Sequence, residues 1–216
     1  MKEKTGTVFS IADENPPIPG CTVSRGVFSG ESIISYYSLA RGTDISAEIY
    51  PSRKLILVNS GTAQAYGNDF RRDVDAGSGI FLPLDTPAGV STQSGTVYTE
   101  IIIERNSIMN SAINPGEVFS LAELVPYSEG KIVNMDVVHN SKMKFAVMAF
   151  DAGTGLSEHA APGEALIFAL DGEGIIGYEG SEHTIKAGEN FCFAKGGLHY
   201  VKAESRFKMA LLLTLE

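Results

Sequence analysis

The 216-residue sequence has no tryptophan, only two cysteines and only four histidines. Cys21 and Cys192 are far apart and show neither a metal-knuckle nor a redox spacing. One disulfide between them is the alternative, but they read first as two unrelated buried thiols in a reducing compartment, which points to the cytoplasm. Positive charge is also scarce: 17 Lys and Arg stand against 26 Asp and Glu, a net charge of −9. No basic patch is visible, so a nucleic-acid partner and an anionic membrane surface are both disfavoured. No apolar run approaches the ~18 residues of a membrane span. The opening "MKEKTGTVFSIADE" lacks the apolar stretch of a signal peptide, and no long amphipathic helix is apparent. What the sequence does have is apolar bulk, 44% against 20% charged residues, enough for one large domain or two of about 100 residues each.

The chain repeats itself. "VFSIAD" at 8–13 returns as "VFSLAE" at 118–123. Further on, "GTDISAEIYPSRKLILVNSG" (42–61) matches "GTGLSEHAAPGEALIFALDG" (153–172) at an offset of 111, with seven identities in 20 positions. Composition alone gives about one in 20. The offset holds to Gly77 and Gly188, and to Val90 and Val201. A period this long is not a solenoid; it is a tandem duplication of one fold unit. The halves are placed at 1–108 and 117–216, with "ERNSIMNSAINPGE" (104–117) as the join.

Each half reads as all-β. In the second, "MKFAVMAF", "ALIFAL", "IIGYEG", "EHTIKAG", "NFCFA", "HYVKA" and "FKMALLLTL" are short apolar or alternating runs broken by Gly-rich turns. That is the pattern of a sandwich or small barrel. "LAELVPY" (121–127), after Ser120, reads as a short capped helical turn.

His139, His159, His183 and His199 all fall in the second half. From Gly188 the chain runs five residues to Ala194, then Lys195, Gly196 and, two residues on, His199. This resembles the second motif of the cupin superfamily, with Ala194 in place of its proline and Ala203 in place of its closing asparagine. The first half keeps the glycine and proline as Gly77 and Pro83 but has Ala88 where His199 would stand. The resemblance covers roughly 30–104 and 140–216. It implies a bicupin, two jelly-roll (double-stranded β-helix, RmlC-like) barrels in one chain, the second similar to small bacterial cupin 2 proteins.

In metal-binding cupins three histidines and one glutamate hold a divalent ion. By that resemblance the metal candidates here are His159, Glu164 and His199, and the ion Fe, Mn, Zn or Ni. Two registers are open. Without a gap, His159 takes the first histidine place, Ala161 the second and Ala165 the glutamate place, leaving two ligands. Shifted, Ser157 and His159 take the histidine places and Glu164 supplies the carboxylate, provided that "AAPG" (160–163) bulges to bring Glu164 onto the same face. Glu158 is the outward neighbour of His159, His183 a surface residue and His139 a loop residue. In the first half Glu48, Arg53 and Ala88 stand at the places of His159, Glu164 and His199, so this half reads as structural.

The resemblance implies a small-molecule protein. One reading is a metal-dependent oxygenase, isomerase or lyase working in the C-terminal barrel. The alternative is a metal-free barrel that binds or senses a small ligand, lined by residues such as Phe168, Phe193 and Met209. A duplicated chain builds its pseudo-twofold interface internally, so a monomer with an internal pseudo-dimer, or a homodimer, is expected.

Overall fold

The computed structural model of the protein describes residues 5–27 and 34–215. Readings that touch residues 1–4, residues 30–33 at the start of the first repeated span, or residue 216 lie outside the described residues. The first half contributes β1 (Val8–Phe9), α1 (Ile11–Glu14), β2 (Thr22–Gly26), β3 (Ile34–Leu39), β4 (Asp44–Glu48), β5 (Arg53–Gly67), β6 (Arg71–Asp75), β7 (Ser78–Phe81), β8 (Ala88–Ser91) and β9 (Thr96–Ile103). The join carries β10 (Ile108–Met109). The second half contributes β11 (Val118–Ser120), a 3-10 turn (Leu121–Glu123), β12 (Ile132–His139), β13 (Met143–Phe150), β14 (Thr154–Ala160), β15 (Ala165–Tyr178), β16 (Ser181–Lys186), β17 (Asn190–Phe193), β18 (Leu198–Ala203) and β19 (Phe207–Thr214).

These strands form two curled antiparallel sheets that repeat one plan. One runs β11-β7-β5-β9-β3-β2, the other β1-β17-β15-β19-β13-β12-β10. In each, the far half of the long strand (β5 or β15) curls over to pair with β6 and β8, or with β16 and β18. The all-β, two-barrel architecture read from the repeat is what the chain forms.

The repeated six-residue word has a structural purpose. β1 pairs with β17 of the second sheet, and β11 pairs with β7 of the first. Each half thus lends its leading strand to the other. Just beyond β1 the chain turns at Ser10, whose hydroxyl caps α1 by accepting from the Asp13 amide at 3.2 Å. Ser120, at the matching place, makes no such cap. Ile11 is fully buried, and its amide donates to Asn190 Oδ1 at 3.1 Å across the two halves.

Three apolar clusters result. The largest lies between the barrels and joins Ile11, Tyr36, Leu57 and Ile101 to Phe145, Leu166 and Phe168. The other two fill the barrels themselves: Ile56, Val58, Val90 and Tyr98 in the first, Ile167, Phe193, Val201 and Met209 in the second. Phe168 therefore belongs to the layer between the barrels, whereas Phe193 and Met209 do line the second. Alternation explains this, since neighbours along β15 face opposite sides.

The matched glycines of the repeat have a steric cause. Gly61 and Gly172 have φ of +71° and +72°, and a Cβ there would lie 2.2 Å from Gly95 O and 2.0 Å from Arg206 O. Both follow a bulge in the long strand, where the backbone bends into the barrel wall. Of the two thiols, Cys192 is buried as expected. Cys21 is exposed instead, just ahead of the edge strand β2.

Candidate functional site at the C-terminal barrel mouth

The site is built where β14 meets β18. Their register runs Thr154↔Ala203, Gly155↔Lys202, Leu156↔Val201, then shifts and resumes at His159↔His199 and Ala160↔Leu198. Ser157 and Glu158 together oppose Tyr200. Leu156 and Val201 face the barrel interior. With strict alternation His159, three residues after Leu156, would face out. The extra residue in the bulge turns it onto the same face as His199.

The two imidazoles lie side by side, ring centroids 4.2 Å apart and planes inclined at 52°. His159 Nδ1 is 2.8 Å from the Ser157 carbonyl oxygen, and His199 Nδ1 is 3.1 Å from the Gly197 carbonyl oxygen. A carbonyl oxygen only accepts, so in the neutral rings each Nδ1 carries the proton and each Nε2 keeps its lone pair. His199 is 8% exposed and stacks on Phe193 at 4.1 Å. Burial, and to a smaller degree the adjacent His159, push its pKa below the ordinary imidazole value, although the bond to Gly197 opposes this. His159 is exposed at the rim.

Glu164 does not reach this pair. Ala165 and Ile167 point into the barrel, so Glu164, one residue before Ala165, alternates to the other face. Its carbonyl accepts from the Thr214 amide at 2.8 Å and the Thr214 hydroxyl at 3.1 Å. The bulge lies at Ser157–Glu158, and residues 161–164 form the turn between β14 and β15. Inward positions follow the ungapped register: His159, Ala161, Ala165 and His199. Among the described residues no group of three His, Cys, Asp or Glu side chains is placed to hold a metal ion. A catalytic zinc normally takes three protein ligands. Two imidazoles with alanines at the other two places fall short of that donor set.

The remaining histidines divide. His139 ends β12, half-buried, 3.9 Å from Asp136. His183 is not a surface residue: it is half-buried, with its ring 5.1 Å from Phe191. The signal for this was present, since His183 and the buried Ile185 are two apart on β16 and share a face. Tyr178 packs on Phe193 at 5.4 Å, and its hydroxyl accepts from the Ala194 amide at 3.4 Å. The barrel is thus filled with aromatic rings up to the histidine pair at its mouth.

The family model described as a cupin domain (Cupin_2) matches residues 146–215. No curated protein matches the chain. Among solved structures, a cupin 2 conserved barrel domain protein from Leptotrichia buccalis is 25% identical, with a TM-score of 0.87 over 99% of this chain and 98% of that one. A variant of salicylate 1,2-dioxygenase from Pseudoaminobacter salicylatoxidans shares the fold at 11% identity, TM-score 0.64, covering 89% and 75%. Protein Ylba from E. coli does so at 13% identity, TM-score 0.58, covering 89% and 81%. Among the described residues no helix is long and apolar enough to cross a membrane. Residues 146–215 are a cupin domain, and the chain as a whole has the two-barrel cupin fold.

Proposed function

We propose that the C-terminal barrel binds a small molecule carrying two neighbouring hydroxyl groups at its mouth, through Nε2 of His159 and His199, without a resident metal ion. One observation carries the reading: two imidazoles face each other across a strand pair, each with Nδ1 tied to a backbone carbonyl. That fixes two acceptor lone pairs side by side, and such a pair is matched by two adjacent donors on a ligand. Phe193 beneath His199 and Tyr178 beyond it make the surroundings apolar and flat. This favours a hydroxylated ring over a flexible polar chain.

Catechol under anaerobic conditions is a suitable probe, followed by long-range proton–nitrogen spectra of the histidine side chains. Both Nε2 resonances should move together on titration. His199→Ala should weaken binding about tenfold or more, the value of a well-formed hydrogen bond to a buried acceptor, and His159→Ala, at the exposed rim, by about three- to tenfold. The same protein, loaded with Fe²⁺, Mn²⁺, Zn²⁺ or Ni²⁺ and then dialysed, should retain well under one ion per chain. Stoichiometric retention that His199→Ala abolishes would overturn this reading in favour of a metal-dependent enzyme. Unchanged catechol binding in both variants would also overturn it.

A further inference from the structure

The duplication supplies an internal control for the other barrel. Residues 111 apart occupy the same places: Tyr37 faces Tyr98 across β3 and β9 as Met148 faces Met209 across β13 and β19. By the same offset Tyr50, Lys54 and Glu100 stand where Ala161, Ala165 and Leu211 do. In the second barrel these positions are all apolar and belong to its core or pack against it. In the first they form a polar cluster. Lys54 Nζ lies 3.0 Å from Glu100 Oε2, the side chains being 13% and 8% exposed. The same ammonium sits 3.6 Å from the centroid of the Tyr50 ring. The Tyr37 and Tyr98 rings stack at 5.0 Å, within 4° of parallel.

The fold does not require this cluster, because its twin builds the same barrel from alanine, methionine and leucine. Desolvating an ion pair is costly, and replacing such pairs with apolar residues is often neutral or stabilising. The cluster also opens outward. Ile102, directly opposite Lys54 on β9, is 37% exposed, and Ile49, next to Tyr50, is 62% exposed. The cluster thus sets an ion pair and aromatic faces beside exposed isoleucines.

We propose that the mouth of the N-terminal barrel is a second ligand site, separate from the histidine pair, which takes a small, flat, neutral carbonyl compound. Neutrality follows from the charges. Lys54 and Glu100 neutralise each other, so a ligand charge of either sign finds no unbalanced counter-charge in the cluster. The ligand must accept, because the ammonium has three protons and Glu100 takes one. The phenols add donors. Burial, then Glu100, raises Tyr37 to about 12 and raises Tyr50 and Tyr98 in the same way, so all three remain protonated at neutral pH. Flatness follows from the rings of Tyr37, Tyr50 and Tyr98.

The probe is 4-hydroxyacetophenone, whose carbonyl can accept from Lys54 while its hydroxyl donates to Glu100. Saturation-transfer NMR and calorimetry on the full chain should show saturable binding of about millimolar affinity, as expected for a ligand of this size. The double variant Lys54→Ala, Glu100→Leu copies the second barrel. It should melt at or above the wild-type temperature and bind the probe about tenfold or more weakly. Tyr50→Ala leaves the ion pair in place and should weaken binding by a similar factor, while His199→Ala should leave it unchanged. Absence of saturable binding to the wild type, or equal affinity in Tyr50→Ala, overturns the proposal. So does a double variant that melts well below wild type, because the pair would then be a structural need.

Discussion

If each half lends its leading strand to the other, a lesion in one arm should unfold both barrels. Ile11 is the sharpest test. It is fully buried in the layer between the barrels, beside residues of both halves. Replacing a buried isoleucine by alanine costs about 2–5 kcal/mol, from lost transfer free energy and the cavity left behind. A middle value of about 3 kcal/mol in a chain of this size lowers the melting temperature by about 6–12 °C. Ile18→Ala is the control, because that side chain is exposed and its loss should cost no more than about 0.5 kcal/mol. Scanning calorimetry should show one transition for wild type and for Ile11→Ala. Hydrogen exchange should show Asn190–Phe193 and Arg53–Gly67 losing protection by equal free energies. Two resolved transitions, or protection lost only in the first barrel, would refute the idea that the exchanged arms make one cooperative unit. A loss below about 1 kcal/mol would show that the layer repacks around alanine.

Two further outcomes follow from single side chains. Asn190 is buried and bridges the halves, accepting from the Ile11 amide and donating to the Ile167 carbonyl at 3.1 Å each. Asn190→Ala strands both groups, and urea unfolding should register a loss of about 2–4 kcal/mol. A loss under about 1 kcal/mol would mean that water replaces the amide. His199 gives a pH dependence of definite sign. Its folded pKa lies below the ordinary value, so on acidification the unfolded chain takes up the proton first. The stability linked to this group is full above the ordinary imidazole range and declines as pH falls toward the depressed folded pKa. Wild type should therefore lose more stability than His199→Phe between pH 7 and pH 5; parallel curves would refute the assignment.

The fold was legible because duplication doubles the signal. Gly61 and Gly172 match as letters because both positions need a left-handed backbone within about van der Waals contact of a neighbouring strand, and one such coincidence would have been weak alone. His199 was legible through the spacing from Gly188, and His159 through the count back from Gly172. Glu164 was not, because its placement depends on which residue bulges. Ser157–Glu158 and residues 160–163 are equally plausible sites by letter, and only the register Leu156↔Val201 followed by His159↔His199 decides between them. The exchange of β1 and β11 was likewise hidden. The repeated word shows that two strands are alike, but nothing in it says that each pairs with the other's sheet. The cluster around Lys54 was hidden for another reason. Lys54 and Glu100 are 46 residues apart, and nothing in the letters links them until β5 and β9 place them together.

The two mouths differ most where the two halves should agree best. His159, Ala161, Ala165 and His199 in one barrel correspond to Glu48, Tyr50, Lys54 and Ala88 in the other. The bulge that aims His159 inward is present in both, since β4 and β8 shift register between Ile45↔Val90 and Glu48↔Ala88 as their counterparts do. Backbone geometry was therefore held while the side chains at its inward positions diverged. Such divergence follows if the layer between the barrels ties them into one folding unit. Neither mouth then has to supply the stability of its own barrel, so an ion pair in one and two imidazoles in the other can be tolerated at sites where a lone barrel would be better served by apolar packing. The two proposed sites then predict two ligands rather than one shared between the halves.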